Sequence, residues 1–196
     1  MTADRPRERM PEAPVRQPQA KLCLVGEERV GKTSLVHRFA HGVYSPEYLR
    51  TIGALVTKKK IALEDEDGVP VALSAMIWDV MGKHVFLDLL GEAYFSGVQG
   101  VVAVFDLTRP ESLEQLRRWI AEIQDIAPGA PVVLLANKSD MGSWRKIEDA
   151  AIESFAKEVG APWYLTSAKT GENVDKAFLD VASAIRRNQR TSVPRA

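Results

Sequence analysis

The sequence has 196 residues, 45% hydrophobic and 27% charged, the length and balance of one water-soluble globular domain. Lys+Arg and Asp+Glu stand at 26 each, so net charge gives no argument for nucleic acid or an acidic membrane as partner. No apolar run approaches a membrane span, and the single cysteine, Cys23, excludes an intramolecular disulfide and fits a reducing compartment as a small core residue.

Residues 1–20 are rich in Pro, Arg and Glu without periodicity and read as a disordered N-terminal tail. They hold no apolar signal core. Leu22 to Val25 is a short apolar strand, and Thr33 to His41 a helix with Leu35 and Phe39 on one face. Ala54 to Leu63 and Val69 to Trp78 are two strands joined by the acidic turn "EDEDG". Val101 to Phe105 and Val132 to Ala136 are unbroken apolar runs, as in parallel strands buried on both faces. Between them Pro110 opens a helix carrying Leu113, Leu116, Ile120 and Ile123. Ile147 to Val159 predicts a helix stopped by Gly160 and Pro162, Trp163 to Thr166 a last strand, and Val174 to Ile185 a final amphipathic helix. The alternation predicts a doubly wound α/β sheet, mostly parallel, with one antiparallel hairpin. Ligands then bind beyond the carboxyl ends of the strands.

Gly26 to Thr33, "GEERVGKT", fits G-x-x-x-x-G-K-[ST] between a strand and a helix. Backbone N–H groups from Glu28 through Arg29, Val30, Gly31, Lys32, Thr33 and Ser34 are placed to face phosphates at a helix N-terminus. Lys32 adds a point charge, and the Thr33 hydroxyl is a ligand for Mg²⁺, which prefers oxygen. The plain alternative is a glycine-containing turn that merely opens a helix. The motif "NKSD", Asn137, Lys138, Ser139 and Asp140, follows an apolar strand. Guanine presents N1–H and its 2-amino group side by side, and a carboxylate accepts both. Adenine offers no such pair on that edge, so Asp140 selects guanine, by roughly 10⁴ or more where such a site is fully built. "TSAK" ends the next strand, where Ser167, Ala168 and Lys169 offer a backbone N–H to the guanine 6-oxygen and a lysine stem to its face. Either tetrapeptide alone also suits an ordinary polar loop; their order after the phosphate loop argues otherwise.

With these motifs, the chain from Lys21 to Arg187 resembles the Ras superfamily of small GTPases, and its Rab-like branch most. "RFAHGVYSPEYLRTIG" is similar to the family's first helix and first switch, and "WDVMG" to its second-switch motif. The resemblance implies a P-loop NTPase G domain over residues 21–187 with a six-stranded sheet, and a flexible C-terminal tail over 188–196. It implies that Tyr44 and Tyr48 lie near the nucleotide, and that Thr51 closes on Mg²⁺ and the γ-phosphate. It also implies that Asp79 partners Mg²⁺ and that the Gly82 N–H meets the γ-phosphate, so hydrolysis of GTP to GDP releases both loops. Effectors, GTPase-activating proteins and exchange factors are the implied partners, through the switch loops. "TSVPRA" lacks a prenylation cysteine and "MTADRP" lacks Gly at position 2, so no direct lipid anchor and a cytoplasmic location are expected.

Three departures shape the expected chemistry. Lys83 stands where the family has its water-orienting glutamine, followed by His84. The family's glutamine orients the attacking water, a point for which Ras is the standard case. Lysine has donors and no acceptor, so slow intrinsic hydrolysis is expected. A non-hydrolysing GTP-binding scaffold is the rival reading, and an ATP-using P-loop kinase or ATPase a remoter one. His84 is a substitute base or a solvated switch residue. Glu28 and Arg29 replace small loop residues: Arg29 is an internal arginine finger or an exposed ion-pair partner, and Glu28 is expected to turn outward from the phosphates. Finally, "ALV" follows "TIG" where the family has Val-Asp-Phe, which puts binding of ordinary Rab effectors in question.

Overall fold

The computed structural model describes residues 18–45, 53–65, 68–82 and 91–191. Among these residues six strands form one sheet: β1 (Gln19–Val25), β2 (Ala54–Glu64), β3 (Pro70–Val80), β4 (Gly100–Asp106), β5 (Val132–Asn137) and β6 (Trp163–Thr166). Their order is β2-β3-β1-β4-β5-β6. Among the described residues only β2 and β3 pair antiparallel, from Ala54 opposite Val80 to Glu64 opposite Pro70. The remaining pairs are parallel. The expected mixed six-stranded sheet is therefore the observed one.

Helices α1 (Lys32–His41), α2 (Pro110–Ile126), α3 (Asp149–Val159) and α4 (Val174–Thr191) cover the sheet, and residues 91–95 are also helical. Strand alternation divides the core between the two faces. Leu22 and Leu24 join Phe39, Val102, Val104 and Phe178. Cys23 and Val25 join Phe95, Phe105, Trp119 and Phe155 on the other side. Every residue of β4 is buried, which explains its unbroken apolar run. Phe39 of α1 stacks on Phe178 of α4 at 4.2 Å between ring centroids, joining the two helices on that face.

Several boundaries differ from the sequence expectation. Strand β1 starts at Gln19, inside the segment read as tail, because Gln19 and Ala20 pair with Ser74 and Ala75 of β3. Polar Lys21 is tolerated there because its ammonium lies over the Trp78 ring and donates to the Ser96 carbonyl at 2.9 Å. Helix α4 passes residue 187, the expected domain end, and continues to Thr191. Its apolar stripe ends at Ile185, but the polar residues beyond find partners: Gln189 donates to the Gln19 carbonyl at 2.8 Å, and Arg190 pairs with Asp65. Ile147 is buried but not helical, and α3 begins only after extended Glu148. The tail residues 1–17 and 192–196 lie outside the described residues.

The sheet order has a functional consequence. Strand β1 is flanked by β3 on one side and β4 on the other, so the chain winds outward in opposite senses from it. The crevice of such a sheet opens at this reversal, at the carboxyl ends of the strands. The segments at the ends of β1, β3, β5 and β6 are those that carry the motifs.

Candidate nucleotide-binding site

The loop from Gly26 to Gly31 leaves β1 and turns into α1 with no side-chain cap; Gly31, at φ 101°, occupies the N-cap position. A Cβ at Gly31 would lie 2.3 Å from the Asn137 amide nitrogen, so only glycine fits there. Arg29 adopts φ 65°, one of the left-handed positions taken by a non-glycine residue. Its side chain is exposed and that of Glu28 half-buried.

Lys32, the first residue of α1, is the buried cation beside this loop. Its ammonium donates to the carbonyls of Gly26 at 2.7 Å and Glu27 at 2.8 Å, and it is 6% exposed. Burial pushes its pKa down to about 8, opposed by the negative charges of Asp79, Glu27 and Glu28. The Thr33 hydroxyl, one residue on, donates to the carboxylate of buried Asp79 at the end of β3. Gly82 follows on the same segment: a Cβ there would come within 2.5 Å of the Glu27–Glu28 peptide. The second-switch motif is thus laid directly against the phosphate loop. Thr33 and Asp79 present hard oxygen donors beside each other, the donor type suited to Mg²⁺. Among the described residues no three His, Cys, Asp or Glu side chains gather as a metal cage.

The base-reading motifs are joined to this loop by Asn137. Its amide donates to the Val30 carbonyl at 2.8 Å and accepts from the Ala168 N–H at 3.3 Å. The side chain is 1% exposed, so it ties three loops together. Asp140 is oriented by the Ser167 hydroxyl, which donates to its Oδ1 at 2.6 Å, while the Lys169 ammonium lies 3.9 Å from Oδ2. Asp140, Ser167, Ala168 and Lys169 therefore form one cluster, as their order in the sequence suggests. Lys138 has φ 68° and sends its ammonium to Asp106 Oδ2 at 2.6 Å. Tyr44 is exposed at the entrance of the first-switch segment. Tyr48, Thr51, Lys83 and His84 lie outside the described residues.

A sequence model of the Ras family matches residues 21–187. The chain belongs to the Ras family. This Ras-family protein is 34% identical over 173 residues to the GTP-binding protein YPTM1 of Zea mays, covering 88% of this chain and 80% of the relative. It is 35% identical over 175 residues to the Ras-related protein RIC1 of Oryza sativa subsp. japonica, with 89% and 83% covered. To the Ras-related protein RABD2a of Arabidopsis thaliana it is 35% identical over 167 residues, with 85% and 79% covered. These relatives place the Ras-family chain with the Rab-like small GTPases.

Three residues of this Ras-family site were not singled out from the sequence. Asp106, fully buried at the end of β4, takes Lys138 on one oxygen and the Thr108 N–H and hydroxyl on the other. Arg38 of α1 donates to the carbonyls of Ala168 at 2.8 Å, Lys169 at 2.6 Å and Gly42 at 3.0 Å, fastening the base loop to the helix end. Arg109 donates to the Glu28 carbonyl at 2.9 Å. The two arginines each hold a loop backbone remote in sequence. No spacing pattern signals such contacts.

Proposed function

We propose that this protein is a guanine-nucleotide switch that binds GTP and GDP with Mg²⁺ and hydrolyses GTP slowly on its own. The Asn137 bridge supports this reading most: it fixes the phosphate loop at Val30 relative to the base loop at Ala168. A ligand spanning phosphates and a base meets both parts in one register. Asp140, held by Ser167, supplies the acceptor pair for guanine N1–H and the 2-amino group. Adenine would leave those oxygens unpaired, which weighs against an ATP-using enzyme.

Backbone N–H groups from Glu28 to Ser34 and the Lys32 ammonium receive the phosphates. Thr33, Asp79 and Thr51 would hold Mg²⁺, which neutralises charge on the phosphate oxygens when bound. Thr51 and the Gly82 N–H are the proposed sensors of the γ-phosphate, with Tyr44 and Tyr48 beside the nucleotide. Hydrolysis requires a water to attack the γ-phosphorus as the bridging bond breaks. Lys83 stabilises charge but cannot accept from that water, and His84 and Arg29 are the remaining candidates for catalytic roles. Regulators and effectors would read the switch loops.

The test is chromatography of nucleotide extracted from the purified protein, followed by single-turnover hydrolysis of bound GTP. Guanine nucleotide with slow phosphate release is expected. Adenine nucleotide would overturn the assignment of the base. Stably bound GTP with no phosphate release would favour the non-hydrolysing scaffold.

A further inference from the structure

Arg109 sits on a turn that its neighbours make rigid. Its N–H donates to the Asp106 carbonyl at 2.9 Å, and its own carbonyl accepts from the Ser112 hydroxyl at 2.7 Å. That hydroxyl also accepts from the Asp106 N–H at 2.9 Å, and both Asp106 and Ser112 are fully buried. From this platform the guanidinium spans two groups: Nε donates to Glu111 at 3.0 Å and Nη1 to the Glu28 carbonyl at 2.9 Å. The Glu28 carbonyl belongs to the peptide that precedes Arg29, the residue at φ 65°. A side chain with a Cβ avoids that region, where glycine moves freely.

We propose that Arg109 is a positioning residue for the phosphate loop, holding the Glu28–Arg29 peptide in the orientation that a loop of smaller residues would reach unaided. No peptide here is cis, so the Arg29 N–H points opposite to the Glu28 carbonyl, away from Arg109. Fixing the carbonyl therefore aims the N–H. A charged donor on the carbonyl also polarises the peptide and strengthens that N–H as a donor. The loop's non-glycine sequence and the arginine on the next strand's turn compensate each other. This inference rests on the proposed nucleotide reading for its ligand, though not for its geometry.

The experiment compares full-length wild type with Arg109→Ala, Arg109→Lys, Arg29→Gly and the Arg109→Ala/Arg29→Gly pair. Release of fluorescent GDP is one readout, and amide exchange of residues 26–31 in the purified protein the other. Arg109→Ala should speed GDP release about tenfold, the size of one hydrogen bond to a charged group, and raise amide exchange in the loop. Arg109→Lys should recover part of both. In the Arg29→Gly background the same change should cost less than about threefold, because glycine accepts the conformation without a clamp. Unchanged release and exchange in Arg109→Ala, or an equal loss in both backgrounds, would overturn the proposal. A wild type that retains no GDP refutes the nucleotide reading alone, since amide exchange still decides on Arg109.

Discussion

Replacing Asn137 with alanine should damage the protein in two ways that can be separated. The side chain makes two buried hydrogen bonds, a short one to the Val30 carbonyl at 2.8 Å and a longer one from the Ala168 N–H at 3.3 Å. A third contact, from Thr166 at 3.5 Å, is too long to count. Val30 is fully buried and Ala168 is 5% exposed, so water does not readily replace the lost partner. An orphaned buried group costs about 1–3 kcal/mol, which puts the substitution at about 2–6 kcal/mol for the two. In a domain of this size 1 kcal/mol moves Tm by about 2–4 °C, so a fall of roughly 4–24 °C is expected in calorimetry of nucleotide-free protein. GDP affinity, measured below the lower Tm, should fall as well, because the phosphate and base loops lose their common anchor. Asn137→Asp should not rescue it: the acceptor for Ala168 is kept, but an oxygen then faces the Val30 carbonyl. A Tm shift under about 3 °C with unchanged GDP affinity would refute the account of Asn137 as the tether.

Asp140→Asn should weaken GDP binding by about 1.5–3 kcal/mol, the worth of a charge-assisted pair, and improve XDP binding, because an amide donor suits the 2-oxo group of xanthine. An unchanged GDP/XDP preference would remove Asp140 from base recognition. Lys83→Gln should raise the single-turnover hydrolysis rate modestly, since glutamine accepts from water and donates to the γ-phosphate; an equal or lower rate would assign the water to another residue. Burial lowers the Lys32 pKa to about 8, against about 10.4 for an unperturbed lysine. Between these values the unfolded chain binds the extra proton, so this group's contribution to stability rises with pH. Wild type should therefore gain about 1–2 kcal/mol on Lys32→Met between pH 7 and 9.5 in denaturant unfolding of nucleotide-free protein, and a pH-independent difference would contradict it.

The parts of this fold that were legible in the sequence are those written in short-range pattern. The unbroken apolar run of β4 and the leucine spacing of α2 announce a doubly buried strand and a covering helix before any contact is known. The proposed phosphate loop and "NKSD" could be singled out because each motif is written in consecutive residues. The ends of elements were not, because the polar residues that extend β1 and α4 are held by partners far along the chain: Gln189 meets Gln19 across 170 positions. The same limit hid Arg109, 81 positions from Glu28, and Arg38, 130 from Ala168.

That limit bears on how the charged phosphate loop is tolerated. Glu28 looks disqualifying beside a polyphosphate when the loop is taken alone. Two like unit charges at 4 Å repel by about 4 kcal/mol at an effective dielectric of 20. The folded site adds two charges that the motif does not contain, Asp79 and Arg109. Lys32 is buried among Gly26 and Glu27 carbonyls, with Asp79, Glu27 and Glu28 all favouring its charged form. Arg109 brings a second cation to the Glu28 backbone. The acids keep Lys32 charged at neutral pH despite its burial, and a charged Lys32 is what an anionic ligand needs. Removing Glu28 would therefore relieve repulsion and weaken the lysine's charge together. The loop departs from small residues without losing the two properties that hold phosphate, an ordered backbone and a protonated lysine.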